Sequence, residues 1–596
     1  MRRYESRSIW TRWLRARLWL LQKLQPTELQ ATLAWAGLVG FLGALATVAF
    51  REGIRGIEWL LTHQHGGMIG GLVHTALMLP WWERLLVPAV GGLVAGVILQ
   101  VGMHLTRRQS STDYMEAIAL GDGRISVRTS LVKSGASLVT VGSGGSIGRE
   151  GSMVQLAAML ASGVGRMRSF STPRLRLLTA CGAAAGIAAA YNTPIGGALF
   201  VSEIVLGSIA MESLGPLVFA SVISNVTINH FMHYQARFSI PPIQFASNWE
   251  LVLYIVLGLV AGFLGPQFVY LLEQTKHFFN KLDLPRAAKL GLGGLIVGLI
   301  SIGFPGVWGN GYSMVNSILH SQWAWYPLLL LLVFKIIATA ATTGSGATGG
   351  VFTPTIFVGT AFGSLFGQGV HLLLPHITSV ADTYAVVGMG CFLAATTHAP
   401  LTAIIMVFEM TLDYHIVLPL MLACVTAYYT SRAWREDSIY SESLREKNSE
   451  QPTADFRTLC VADILKTDPP RVLMRSTLAE IWQLFLRYQV NYVYVVGDNE
   501  HFEGVVSLHE IKPALNRGQL ASIIVAADLL KSDFPTLTAE MSLSQALSVF
   551  VTYRGERLPV VSASPERRLL GVASKTDILL SVQQGLDLGT AAPAVK

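Results

Sequence analysis

One carboxylate, Glu150, sits inside "GSGGSIGREGS" (142–152), where five glycines and three serines lie between apolar stretches. Glycine weakens helices and a carboxylate is costly away from water, so placing both together exposes backbone for a purpose. The chemistry this pattern suits is anion handling. A break followed by a helix start presents unpaired N–H groups at the positive end of the helix dipole, where anions bind without a full positive charge. A carboxylate beside those amides competes with the anion. Deprotonated, it blocks the site; protonated, it leaves, acting as both gate and proton carrier. The plainer alternatives are a salt bridge to Arg149, which adjacent helical residues are poorly placed to make, and glycines that only let helices pack.

Repetition favours the functional reading. A slide of 202 residues lays "GSGGSIG" (142–148) on "GSGATGG" (344–350) and Lys133 on Lys335. A slide of 206 lays "AAAYNTPIGGALFVSEI" (188–204) on "AATTHAPLTAIIMVFEM" (394–410), matching Pro194 with Pro400 and Glu203 with Glu409. Two halves, about 31–235 and 245–430, therefore share a plan of Lys, glycine break, apolar stretch, Pro and Glu. Two-fold repeats with interrupted helices favour an inverted arrangement with the ligand site at the interface, near mid-membrane. Glu203 and Glu409 either serve the pathway or are hydrogen-bonded inside the bundle. The two lysines are expected to satisfy carbonyls or add positive potential.

The elements that must hold these residues are membrane helices. The 596-residue chain is 51% hydrophobic and only 14% charged, against about a quarter charged in soluble domains. Runs such as 31–50, 85–103 and 251–272 reach the ~20 residues needed to span a bilayer. Other segments are shorter or broken by Gly and Pro, as in discontinuous helices. Residues 1–30 interleave Arg with Trp and Leu. They read as an amphipathic helix on the cytoplasmic membrane surface, not a signal peptide, and account for much of the net charge of +7. Nucleic-acid binding is disfavoured because no basic soluble domain accompanies this arm. The four cysteines form no CxxC pair.

After Thr430 composition changes. Residues 431–458 read as a charged linker, 459–582 as soluble α/β, and 583–596 as a tail. A pattern of helix, β-rich run, polar turn and second strand occurs there twice, around 477–511 and 542–578. It resembles a tandem pair of CBS (cystathionine-β-synthase-type) modules.

The membrane motifs together resemble the CLC family of chloride channels and chloride/proton exchangers. "GREG" (148–151) resembles its G-[K/R]-E-G-P signature, "GGVFTP" (349–354) its G-x-F-x-P signature, and 188–203 its third known stretch. The likeness spans nearly the whole chain and is strongest to the bacterial ClcB-like branch. It implies an all-α polytopic membrane domain with an inverted two-fold repeat, here followed by the CBS pair. It also implies a homodimer in the bacterial inner membrane, with the N-terminus and CBS modules cytoplasmic.

Carried over residue by residue, the resemblance makes Glu150 the gating glutamate. Amides of Arg149, Glu150 and Gly151 would line an outer chloride site, and those of Val351 and Phe352 a central one. Tyr440 would donate its hydroxyl to the central ion, an interfacial aromatic anchor being the alternative. The family's first signature is nearly lost in "SSTDYME" (110–116), where Ser111, or else Thr112, would be the pore serine. Exchangers carry Glu-Glu at the end of the "GGALF" helix, whereas this chain reads Glu203–Ile204, and Ile204 cannot hold a proton. The expectation is therefore a chloride channel gated by protonation of Glu150, with coupled chloride/proton exchange as the alternative. In the CBS pair, "GVASKTD" (571–577) and "GVVSLHE" (504–510) imply an adenine nucleotide such as ATP held by Ser507, Ser574 and Asp577. A dimerisation unit without ligand is the alternative. A CBS-linked divalent cation transporter is disfavoured because the membrane part is poor in acidic residues. No enzyme motif or metal cluster is expected.

Overall fold

The computed structural model describes residues 28–62, 71–105, 113–168, 170–232, 238, 247, 249–378, 381–441, 460–466, 469–488, 490–497, 500–515, 524–553, 555–563 and 567–578. Most of the expected N-terminal helix, Ser111 and Thr112, residues 442–458 of the linker and the 583–596 tail lie outside these. The chain divides into two compact units, Met1–Arg445 and Glu446–Lys596.

In the first unit, eight helices among the described residues are long and apolar enough to cross a membrane. Others are too short to cross. Tyr114–Ala119, Pro194–Phe200 and Pro400–Thr411 have 6, 7 and 12 residues, and at ~1.5 Å per residue even the longest covers little more than half of a bilayer core.

Each glycine break has the same local cause. Helices Val127–Gly142 and Trp325–Gly344 are stopped by Gly144 (φ 91°) and Gly346 (φ 94°), in the left-handed region where a Cβ is disfavoured. New helices then start at Glu150 (Glu150–Met167) and at Phe352 (Phe352–Leu373). The second matched pair of corners turns at Asn192 (φ 60°) and His398 (φ 57°), followed in each case by a proline opening the next helix.

The halves meet at their glycine breaks. Gly148 N–H donates to Gly350 O at 2.7 Å and Gly350 N–H donates to Gly148 O at 2.8 Å, an antiparallel bridge between repeat-equivalent residues. A residue pairing antiparallel with its own repeat image places a local two-fold axis between them, as an inverted repeat requires. The "CGAAAGIAAAY" stretch of helix Thr172–Tyr191 is buried throughout, its small side chains letting neighbouring helices approach closely.

The last membrane helix, Val417–Trp434, runs four residues beyond Thr430 into the stretch expected as linker. Ser431 is the reason: it is fully buried and its hydroxyl donates to Ala395 O. Ile439 N–H donates to Thr396 O at 3.0 Å, so the stretch that follows stays with the membrane unit as far as Tyr440.

Among its described residues the second unit holds two three-stranded sheets of identical plan. Arg471–Leu473 pairs parallel with Tyr492–Val496, which pairs antiparallel with Phe502–Ser507; Leu537–Thr538, Arg557–Val561 and Leu569–Ser574 repeat this, with the register shift at the equivalent place. The central strands bury four successive residues, the mark of a strand covered on both faces. Their helices, Leu478–Tyr488 and Leu543–Thr552, match the two sequence repeats. The lead-in segments are exchanged: Lys466 bridges Val572 of the second module, and Lys531 bridges Val505 of the first.

Candidate functional site

Glu150 opens helix Glu150–Met167 and is 6% exposed, yet its carboxylate is turned onto the other half of the repeat. Oε1 accepts the Thr353 amide at 3.0 Å and Oε2 accepts the Thr353 hydroxyl at 3.1 Å. Thr353 is the second residue of helix Phe352–Leu373, so the carboxylate takes up an amide that has no partner within that helix. A carboxylate there is an anion in an anion's place. The contact depends on bare backbone around it: a Cβ on Gly148 would fall 2.0 Å from Glu150 Oε1, and one on Gly350 2.6 Å from it.

Thr353 was not singled out in the sequence. Its hydroxyl also meets Tyr191 Oη at 2.8 Å, and the Tyr191 and Phe352 rings lie 5.1 Å apart. Tyr191 closes an alanine-rich run and Thr353 precedes a proline, so the only available signal was a polar residue beside each motif.

A cavity of about 290 Å³ runs past Glu150 and is lined by Gly151, Val351, Phe352 and Tyr440. Arg149 is the residue before helix Glu150–Met167 and lines a separate small recess with Arg51 and Met153. Tyr440 stands edge-on to Phe200 at 5.6 Å between ring centroids. Val351 is the N-cap of helix Phe352–Leu373. Four of the residues expected to line the anion path thus share one cavity with Glu150. Ser111 falls outside the described residues.

Lys335 is fully buried and its Nζ donates to Val307 O and Gly309 O, both at 2.8 Å. Gly309 N–H in turn donates to Gly144 O, so Lys335 braces the first glycine break rather than an ion. Lys133, its repeat counterpart, lines the cavity.

Glu203 lies in a π-helical turn, Val201–Val205, and accepts from the amides of Leu401 and Thr402. Glu409 accepts from the amides of Ile195 and Gly196. Each therefore caps the proline-led helix of the opposite half. Ile204 is partly buried and packs against the main apolar core.

In the CBS unit, Ser507 and Ser574 accept the amides of Glu510 (3.3 Å) and Asp577 (3.0 Å), each three residues on, as helix caps do. Asp577 accepts from Lys466 Nζ at 2.5 Å. Burial pushes its carboxyl up, but the hydrogen bonds from Lys466 and Ser574 outweigh this and hold it below the usual carboxylate range. A cavity of about 190 Å³ lies between the two modules, with Tyr492, Tyr494, Glu556 and Arg557 on its walls. None of Ser507, Ser574 and Asp577 is among its described lining residues.

Comparison with known proteins places this geometry. The model of the family described as voltage gated chloride channel matches residues 91–432, and that of the CBS domain matches 461–517 and 525–583. The chain is 54% identical over 416 residues to a putative ClcB-like chloride channel protein of Ralstonia nicotianae, covering 69% of this chain and 96% of that one. It is 42% identical over 424 residues to the voltage-gated ClC-type chloride channel ClcB of Citrobacter koseri, covering 69% and 98%. Among solved structures, a slow cyanobacterial Cl−/H+ antiporter matches at a TM-score of 0.61 and 25% identity, over 70% of this chain and 98% of that one. A eukaryotic CLC transporter matches in fold at 0.61 and 19% identity, over 92% and 97%.

Proposed function

This chain belongs to the CLC family of voltage-gated chloride channels and is a chloride transport protein carrying a CBS pair; from that premise we propose that it is a channel whose gate is Glu150. The observation that carries the reading is the Glu150 carboxylate seated on the Thr353 amide and hydroxyl, at the head of a helix and inside the cavity that Tyr440 lines. Chloride takes the Thr353 amide and hydroxyl when the carboxylate is protonated and withdraws. Backbone amides suit a conducting site because they hold the ion without trapping it. Gly151, Val351, Phe352 and Tyr440 line the ion's path. Ile204 provides no proton-bearing group, which supports passive conduction.

Coupled exchange is the second reading, favoured by the likeness to a structure described as a Cl−/H+ antiporter. The reversal potential of the purified protein under a pH gradient separates the two. A channel reverses at the chloride potential whatever the pH gradient, whereas an exchanger shifts toward proton countertransport.

With family membership and composition in support, we also propose a homodimer in the bacterial inner membrane, with the CBS unit in the cytoplasm. An adenine nucleotide between the CBS modules would lie against Tyr492, Tyr494 and Arg557. Reaching Asp577 would require it to displace Lys466.

A further inference from the structure

Ser152 lines the cavity that holds Glu150 and is 6% exposed. It stands where the G-[K/R]-E-G-P signature carries proline, a residue with neither a backbone N–H nor a hydroxyl. Serine in that place adds two hydrogen-bond donors to the wall. Ser152 is the third residue of helix Glu150–Met167, so its amide has no carbonyl to meet within that helix. Its side chain makes no hydrogen bond among the described residues. Ser162, further along the same helix, is by contrast engaged twice: its hydroxyl donates to Gly123 O and accepts the Ile125 amide, both at 2.9 Å.

A second hydroxyl on this cavity is in the same state. Ser134, on helix Val127–Gly142, lines the wall, is 3% exposed, and its Oγ has no hydrogen-bond partner among the described residues. Buried hydroxyls are nearly always satisfied, so two unsatisfied ones on one cavity indicate a polar occupant. The wall's two carboxylates already have donors: Glu150 is held by Thr353, and Asp113 accepts the Met115 amide at 3.2 Å. The occupant that the two serines lack is therefore an acceptor from outside the chain.

We propose that Ser152 is a chloride ligand and a determinant of anion selectivity in this pore, its hydroxyl donating to the ion in the cavity. The inference rests on the cavity being the chloride path, as the reading above holds, but not on Glu150 being its gate. A hydroxyl is a compact donor. Its attraction is greatest for an ion of concentrated charge and falls as the charge spreads over a larger one, because the separation grows. Chloride therefore gains more from Ser152 than thiocyanate does.

The test uses full-length purified protein and the substitution Ser152→Ala, which deletes the hydroxyl and keeps the amide. Chloride binding is read by calorimetry, and chloride and thiocyanate fluxes are read in liposomes. S152A binds chloride about tenfold more weakly, the scale of one hydrogen bond to a charged group. The ratio of chloride to thiocyanate flux falls with it. Alanine is a better helix former than serine, so the loss reports the hydroxyl and not the helix. The inference is overturned if S152A binds chloride as tightly as wild type, or if the two fluxes fall by the same factor. Failure of the gating reading leaves a different trace: E150Q then conducts as wild type does at neutral pH, while S152A still loses chloride.

Discussion

Glu203 and Glu409 cap each other's half of the molecule. Glu203 Oε2 accepts the Thr402 amide at 2.7 Å, and Glu409 Oε2 accepts the Gly196 amide at 2.7 Å. They are 206 residues apart and repeat-equivalent, so one relation serves both directions. Each carboxylate satisfies amides at the start of a helix too short to span the membrane. Both carboxylates are thus hydrogen-bonded inside the bundle, one of the two alternatives open from the sequence. Replacing Glu409 with Ala leaves the Ile195 and Gly196 amides without their acceptor and costs about 1–3 kcal/mol. The expected result is a lower melting temperature in detergent, with chloride flux per folded molecule near wild type.

Glu150→Gln removes the charge while keeping the shape. Chloride flux in liposomes rises at neutral pH and loses the part of its acid activation that belongs to the gate. Unchanged flux at neutral pH counts against the carboxylate as the lid.

Gly148→Ala tests the same gate without touching it. The backbone of Gly148 lies outside the left-handed region, so alanine fits the chain itself, but its methyl group meets the Glu150 carboxylate 2.0 Å away. The mobile end of Glu150 gives way and leaves Thr353. Flux at neutral pH should approach that of E150Q, and G148A/E150Q should add nothing further.

Lys335→Met keeps the apolar stem and deletes the ammonium. Two buried carbonyls, Val307 and Gly309, lose their donor, at a cost of about 1–3 kcal/mol apiece. Thermal unfolding in detergent reads this directly. Because Gly309 also holds Gly144, flux falls along with stability.

Asp577 gives the CBS unit a pH dependence of known sign. Its carboxyl is held below the usual range by Lys466 and Ser574 against the effect of burial, so the contribution is present at neutral pH and fades as pH falls through the folded-state value. With Lys466 half exposed, the effect is under about 1 kcal/mol. Asp577→Asn should lower resistance of the CBS unit to proteolysis at neutral pH, with the difference from wild type vanishing in acid.

Some of this was legible in one dimension. Helix length and apolarity are local, so the membrane part, the soluble tail and its tandem repeat could be read directly. The offsets of 202 and 206 exposed the repeat because equivalent corners need equivalent residues, Gly144 with Gly346 and Pro194 with Pro400. Glu150 announced itself as a charge where charge is expensive. What no single stretch could state is which residue each charge meets. Thr353 as the seat of Glu150, the Gly148–Gly350 bridge and the exchanged caps of Glu203 and Glu409 all join positions well separated in sequence. Composition and spacing determine which groups must be satisfied. Only the folded chain, by bringing two breaks face to face across a local two-fold axis, decides which partner satisfies them.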